Sequence, residues 1–212
     1  MFYIILSMET KSANQISREL GRDYESVLNF VREVQELAKR IGGIRLEGIC
    51  EADEVYLNSG DKGVKEENPR KRGLSVKGRG TYEGDRPPVM TLVRRSDGMT
   101  EFVVMNDIRK AVEEIRSRAS KDCVIITDNY PAYDRLDPIG MNHMRINHSE
   151  RYADGDIHVN RCENRHSFLR SFLPRLRGVS KRHLQEYLSF LALLINMPTS
   201  WFSTLLSLTM PR

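Results

Sequence analysis

The sequence predicts an α/β protein in which one mixed sheet is flanked by helices and preceded by a small helix-turn-helix module. Three patterns indicate this fold class. Apolar residues recur at helical spacing over residues 11–40, an alternation of period two begins at residue 44, and a buried strand over residues 123–127 is followed by helices. A chain of 212 residues is long enough for one well-packed domain and a small appendage.

The first helices fit a DNA-binding module, to which we assign residues 1–41. Residues 12–20 and 23–37 predict two helices separated by Gly21. In a helix-turn-helix the first helix braces the second, and the second enters the major groove of DNA. The residues expected to face the groove are Tyr24, Glu25 and Ser26. A plain helical hairpin gives the same pattern and stays the alternative.

The strands of the sheet follow from alternation and from turn residues. Residues 44–57 alternate apolar and polar side chains and predict one long first strand. The turn at residues 96–98 predicts a hairpin. Further strands are predicted over residues 89–94, 100–105, 123–127 and, more weakly, 143–147.

Helices account for most of the remaining chain. Residues 107–118 are amphipathic, with Asn106 or Asp107 as the residue that caps the start of the helix. Two more helices are predicted over residues 160–172 and 181–196. The order of elements is therefore that of a sheet covered by helices.

Composition excludes several classes of protein. The three cysteines include no CxxC pair, which argues against a disulfide framework or a zinc ribbon and predicts a reducing, cytoplasmic setting. The longest apolar runs are far shorter than the roughly 20 residues that cross a bilayer. No cleavage site of a signal peptide follows residues 1–6. We therefore expect no membrane contact.

Positive charge is concentrated in two blocks, although the net charge of the chain is only +4. Residues 161–183 hold seven Arg and Lys and one acid, and residues 62–86 read as a basic loop. Such blocks favour contacts with the phosphates of nucleic acid, whereas a solvated surface is the alternative for either block alone. The candidate phosphate contacts are Lys71, Arg72, Arg161, Arg165, Arg170, Arg175, Arg177 and Lys181.

Three acids stand where a sheet of this kind presents a site. Asp53 lies within the first strand, Asp128 ends the buried strand, and Glu163 lies near the start of the helix inside the basic block. Hard cations such as Mg²⁺ prefer carboxylate oxygen, and phosphodiester chemistry commonly uses two of them. Each acid taken alone is better explained as a surface carboxylate or a cap.

Three segments carry a resemblance to a known family. Residues 51–56 (EADEVY), 127–133 (TDNYPAY) and 158–169 (HVNRCENRHSFL) resemble the acidic motifs of DDE-type insertion-sequence transposases with a ribonuclease H-like catalytic domain. Residues 177–188 resemble the tail of that domain in the branch that carries a zinc ribbon first. The resemblance covers residues 44–196, with 34 residues between the last two acids.

The resemblance implies a chemistry and a set of partners. Asp53, Asp128 and Glu163 are expected to bind Mg²⁺ or Mn²⁺ and to support cleavage at element ends by water and joining by a 3′-hydroxyl. The expected partners are double-stranded DNA, as element ends and target, and further copies of this chain, in a nucleoid-associated setting. Residues 44–196 would form the catalytic domain and residues 197–212 a tail.

Some features leave alternatives open. Because no zinc ribbon precedes the helical module here, a truncated and catalytically inactive DNA-binding derivative is the second hypothesis. A host nuclease of the same fold is the third. Asn160 would either touch metal-bound water or a phosphate, or cap the following helix. Tyr130 and Tyr133 would either stack on a displaced base or pack in the core, and Cys162 is best explained by packing.

Overall fold

A computed structural model describes residues 1–41, 43–61, 79–146, 157–176 and 178–209. The helices are α1 (Phe2–Ser7), α2 (Ala13–Leu20), α3 (Tyr24–Arg40), α4 (Ala111–Arg118), α5 (Asn160–Phe172), α6 (Leu184–Asn196) and α7 (Trp201–Thr209). The strands are β1 (Ile49–Tyr56), β2 (Pro88–Arg94), β3 (Thr100–Val104), β4 (Val124–Asp128) and β5 (Asn142–Ile146).

The five strands form one mixed sheet in the order β3-β2-β1-β4-β5. The first three strands are antiparallel, and β4 and β5 run parallel to β1. Because parallel strands need a crossover, the chain passes through α4 between β3 and β4. The predicted fold class, an α/β protein with one mixed sheet and flanking helices, is confirmed.

The first strand begins later than the alternation predicts. The prediction of one strand over residues 44–57 is wrong at its start, because Gly48 has a φ of +62°, a conformation that interrupts extended backbone. Leu46 makes only an isolated bridge, to Ala119, and the ladder proper starts at Ile49.

Local signals set the other element boundaries well. The predicted hairpin is β2 and β3, and the last two predicted helices match α5 and α6 closely. Asp107 is the capping residue, as predicted, although the first turn after it, Ile108–Lys110, is a 3₁₀ helix. The oxygen of its side chain accepts the backbone N–H of Arg109.

Helices cover both faces of the sheet. On one face, α4 packs its buried residues Val112 and Ile115 against Cys50 and Leu92. On the other face lie α5 and an apolar core shared by the N-terminal helices and α6. Alternation along β1 therefore points residues 50 and 52 towards α4 and residues 51 and 53 towards α5.

The N-terminal module has the predicted two helices around a turn. Ser12 and Gln15 form a capping box at the start of α2, and Gly21 ends that helix with a φ of +58°. The side chain of Asp23 caps α3. The buried residues of α3 belong to the same apolar core as those of α6, so the module packs directly against the rest of the chain.

Two side-chain amides of α6 form hydrogen bonds with outward-facing backbone groups of the edge strand β3. Gln185 accepts the N–H of Val104 and donates to the carbonyl oxygen of Phe102, both at 2.8 Å. Asn196 accepts the N–H of Thr100 and donates to its carbonyl oxygen, again at 2.8 Å. These contacts occupy backbone groups that another chain could otherwise pair with.

Replacing Gln185 with Ala should therefore destabilise the protein by about 1–2 kcal/mol, because two hydrogen bonds to the backbone are lost. Urea denaturation followed by circular dichroism measures the effect. The control is Asn29→Ala, which removes an exposed amide from α3 and should change stability by less than about 0.5 kcal/mol. Equal effects of the two substitutions would contradict the role given to Gln185.

Candidate metal centre

Pairing of β1 with β4 brings two of the predicted acids together. Their parallel register places Glu51 opposite Ile126, so Asp53, two residues further on, is level with Asp128 at the end of β4. Carboxylate oxygens of Asp53, Glu54 and Asp128 all lie within 4.8 Å of one another. These three side chains are half-buried, and their oxygens are the hard donors that Mg²⁺ and Mn²⁺ prefer.

The acids of this cluster, Asp53, Glu54 and Asp128, disfavour one another's charge. Burial raises the pKa of Asp53 to about 8, and the negative charges of Glu54 and Asp128 contribute to the shift. Burial also raises the pKa of Glu54 to about 7, with Asp128 again contributing. A divalent cation would replace this repulsion with attraction, so the donor set fits a metal ion.

Glu54 is the member of the cluster that sequence reasoning missed. It follows Asp53 directly, and neighbouring residues of a strand point to opposite faces, which argues against a shared site. The backbone N–H of Glu54 donates to Asp53 Oδ1 at 2.9 Å, and the Tyr133 hydroxyl donates to Glu54 Oε2 at 3.0 Å. The adjacent acids at positions 53 and 54 are the signal that could have indicated the pair.

Glu163, the third predicted acid, lies in the first turn of α5. Its side chain is exposed, and its negative charge contributes to the raised pKa of Asp53, after burial and the other acids. Within the described part of the chain, the cluster whose oxygens lie within 4.8 Å comprises residues 53, 54 and 128 and does not include Glu163. Convergence of all three predicted acids on one ion stays a prediction.

His166 of α5 is buried against the sheet, beside the cluster of Asp53, Glu54 and Asp128. His166 Nε2 lies 3.0 Å from Thr91 Oγ1, and its Nδ1 lies 3.8 Å from Asp53 Oδ2. Burial lowers the pKa of His166 to about 4, so its ring is neutral near pH 7. It therefore adds no positive charge to the acidic cluster.

The structure decides most of the remaining alternatives. Asn160 is the first residue of α5, and Val159 precedes it as the capping position, so the prediction that Asn160 caps the helix is wrong. Tyr133 is fully buried, which excludes stacking on a base. Tyr130 is half-buried, with the Arg79 guanidinium 3.7 Å from its ring centre. Cys162 is fully buried, as packing requires.

The predicted DNA contacts of the N-terminal module, Tyr24, Glu25 and Ser26, lie in the first turn of α3 and are exposed. They are available to a partner molecule. Their contact with bases stays a prediction.

The candidate phosphate contacts differ in their surroundings. Arg161, Arg170 and Arg175 are exposed. Arg165 is half-buried and donates to Thr100 Oγ1, and Lys181 forms ion pairs with Asp61 and Asp85. The remaining candidates lie outside the described residues: Lys71, Arg72 and Arg177.

The raised pKa values of the cluster predict a pH-dependent stability. The ordinary values are 3.8 for Asp53 and 4.5 for Glu54, and the folded-state values are about 8 and about 7. Between about pH 4 and pH 8 the folded state therefore binds more protons than the unfolded state, and stability falls as pH rises. In metal-free buffer, Tm should fall between about pH 5 and pH 8, and Mg²⁺ should raise Tm most at the higher pH.

The control for this effect is Asp53→Asn, which removes the most strongly shifted carboxyl group. Differential scanning calorimetry should show a smaller fall in Tm with pH for this variant. A fall as steep as in the unchanged protein would show that other groups cause it.

Comparisons with known proteins extend these observations. Residues 45–192 match the protein family described as ISXO2-like transposase domain. A protein of Halobacterium salinarum described as "Uncharacterized protein in transposable element ISH50" is 36% identical over an alignment of 197 residues, and the match covers 88% of this chain and 64% of that protein. A Haemophilus influenzae "Uncharacterized transposase-like protein" is 32% identical over 74 residues, covering 35% of this chain and 60% of its own length. The chain thus spans less than two thirds of both relatives.

Solved structures of low identity also match. The simian T-cell lymphotropic virus intasome in complex with PP2A regulatory subunit B56 gamma matches with a TM-score of 0.39 and 15% identity, over 63% of this chain and 42% of that chain. The Mos1 strand transfer complex matches with a TM-score of 0.31 and 12% identity, over 93% of this chain and 73% of that chain.

In the part of the chain that the structure describes, no helix is long and apolar enough to cross a membrane.

Proposed function

Because this chain belongs to the ISXO2-like transposase domain family, we propose that it catalyses metal-dependent cleavage and strand transfer of DNA at the ends of an insertion sequence. The observation that carries the proposal is the cluster of carboxylates formed by two adjacent residues within β1 and the last residue of β4. Asp53 and Glu54 are adjacent in the sequence, whereas Asp128 is distant from both and is brought to them by the fold. The relative from the transposable element ISH50 supports the link to mobile DNA.

The metal ions would be held by Asp53 and Asp128, with Glu163 as the third ligand. When bound, two such ions activate an attacking oxygen and stabilise the oxygen that leaves the phosphorus. The half-buried position of the cluster supports this role, because charges interact more strongly away from bulk water. Glu54 adds a fourth carboxylate within reach, and the hydroxyl of Tyr133 orients it.

The substrate would be double-stranded DNA, both as element end and as target. Arg161, Arg170 and Arg175 offer exposed positive charge on the helix that carries Glu163 and on the turn after it. Such side chains hold phosphates and set the register of a duplex without reading its sequence. The exposed start of α3 would supply the contacts to bases. Residues 1–41 would thus form a recognition module and residues 44–196 the catalytic domain.

Joining two element ends requires that both be held at once, so we expect more than one copy of the chain on DNA.

The sequence predicts that the final segment, residues 197–212, is a tail. Trp201 of α7 packs edge-to-face on Phe190 of α6 with ring centres 5.8 Å apart, so at least this part of the segment belongs to the core.

The direct test is cleavage of a labelled duplex that ends in the inverted repeats flanking the gene. With Mg²⁺ or Mn²⁺ we expect a nick at the element end, and with Ca²⁺ we expect binding without turnover. Binding with no cleavage in any of these ions would favour the second hypothesis, a DNA-binding derivative of a transposase.

A further inference from the structure

We propose that Glu51 is a positioning residue, which fixes the start of α5 and thereby holds Glu163 in place relative to the metal-binding carboxylates. This inference rests on the proposed function. Glu51 is fully buried, whereas the acids of the cluster are half-buried. A buried carboxylate is costly unless its oxygens are hydrogen-bonded and its charge is paired, so its partners show what it does.

One oxygen of Glu51 binds the beginning of α5. Glu51 Oε2 accepts the backbone N–H of Arg161 at 2.8 Å and that of Cys162 at 3.3 Å. Among the described residues, Val159 precedes this helix and supplies no side-chain cap. The first N–H groups of a helix lack partners within it, and they favour a negative charge. Glu51 therefore caps α5 from the neighbouring strand.

The other oxygen of Glu51 accepts a hydrogen bond from an arginine, Arg95, which also binds a residue just before α5. Arg95 Nε donates to Glu51 Oε1 at 2.7 Å, and both side chains are largely buried. Arg95 Nη2 donates to the carbonyl oxygen of His158 at 2.7 Å. Because Arg95 follows β2 directly, the ion pair ties β1, the end of β2 and the residues before α5 to one another.

The positions of these contacts connect the two halves of the proposed site. Glu51 is two residues before Asp53 on β1, and both side chains point towards α5. The N–H groups that Glu51 accepts belong to the two residues immediately before Glu163. A displacement of the start of α5 would therefore change the position of Glu163 relative to Asp53. Both oxygens of Glu51 are engaged in these bonds, and among the described residues Glu51 is not one of the three acids whose oxygens lie within 4.8 Å of one another.

The test measures the affinity for Mn²⁺, by electron paramagnetic resonance of the free ion, in Glu51→Gln. The amide keeps the size of the side chain, but it has one acceptor oxygen and no charge, so it cannot serve both the helix and Arg95. We expect an affinity about 10- to 100-fold weaker, as for other residues that orient a ligand. Glu51→Asp keeps the charge but is shorter by one methylene, and it should weaken the affinity as well.

The matched control is Glu101→Gln. Glu101 also accepts a backbone N–H, from Ile44, and also pairs with an arginine, Arg118, but it lies on β3. We expect its substitution to change the Mn²⁺ affinity by less than about twofold. Circular dichroism reports whether each variant is folded, and Glu51→Asp replaces Glu51→Gln in the comparison if the latter is not.

A double variant separates positioning from general stabilisation. If Glu51 acts through Glu163, then Glu51→Gln should have no further effect on Mn²⁺ affinity once Glu163→Gln is present. Additive effects would overturn the inference, and so would an unchanged affinity in a folded Glu51 variant while Asp53→Asn abolishes binding. If Asp53→Asn itself binds Mn²⁺ normally, the proposed metal site is wrong, and the inference about Glu51, which rests on that site, is wrong as well.

Discussion

Asp128→Asn should lower the rate of cleavage of a labelled element-end duplex by about 10³-fold or more, while the affinity for DNA in metal-free buffer is unchanged or higher. Asp128 ends β4 beside Asp53, and the asparagine keeps the size of the side chain but loses the charge that would hold a cation. Removing a negative charge near phosphate relieves repulsion when no metal is present. Gel-based cleavage and fluorescence anisotropy measure the two quantities.

The matched control is Asp122→Asn, an exposed acid just before the opposite end of the same strand. It should cut at the unchanged rate. Cleavage by Asp128→Asn at the rate of this control would remove Asp128 from the catalytic residues. Loss of binding together with cleavage would instead indicate that the substitution damages the fold.

Affinity for duplex DNA should fall by about 10³-fold between 50 and 200 mM salt, if about six phosphates are neutralised. The prediction follows from the two basic blocks of the sequence, residues 161–183 and 62–86, whose cations would release counterions from the duplex on binding; Arg161, Arg170 and Arg175 are exposed members of the first block. Arg170→Ala combined with Arg175→Ala should weaken binding to all sequences about equally and lower the slope by about two. Anisotropy titrations at several salt concentrations measure the slope.

Two comparisons make this prediction specific. Arg116→Ala removes an exposed arginine from α4, on the other face of the sheet, and should leave both affinity and slope unchanged. Tyr24→Ala should alter the preference among sequences more than the salt slope, because it lies at the start of α3. A flat salt dependence, or an equal effect of Arg116→Ala, would refute the assignment of the phosphate surface.

The elements that sequence patterns predicted best are those governed by neighbouring residues. Asp107 was one of two predicted caps and is the one observed, and α5 has the predicted bounds because its apolar spacing and its flanking residues are local. The first strand was predicted to start too early because alternation continues through Gly48, whereas the left-handed backbone there interrupts the ladder.

The candidate site was predictable only in part, for a geometric reason. Asp53 and Asp128 were selected from motifs, and the β1–β4 register brings them level. Glu54 was missed because strand alternation directs it to the opposite face from Asp53. The adjacency of the two acids is a signal of the pair, but the close approach of their oxygens depends on the side-chain conformation in which Asp53 accepts the N–H of Glu54, and that conformation is set by the folded structure.

The sequence by itself determined the order and type of the elements, the resemblance to transposases and the residues expected to bind metal and phosphate. Only the tertiary structure decided which side chains meet. It gave Lys181 two acidic partners, buried Tyr133 beneath Glu54 and placed Glu51 at the start of a helix more than 100 residues away. Propensity and periodicity are properties of neighbouring residues, whereas these contacts arise when distant segments pack, because burial leaves charged and polar groups only the partners that the fold brings to them.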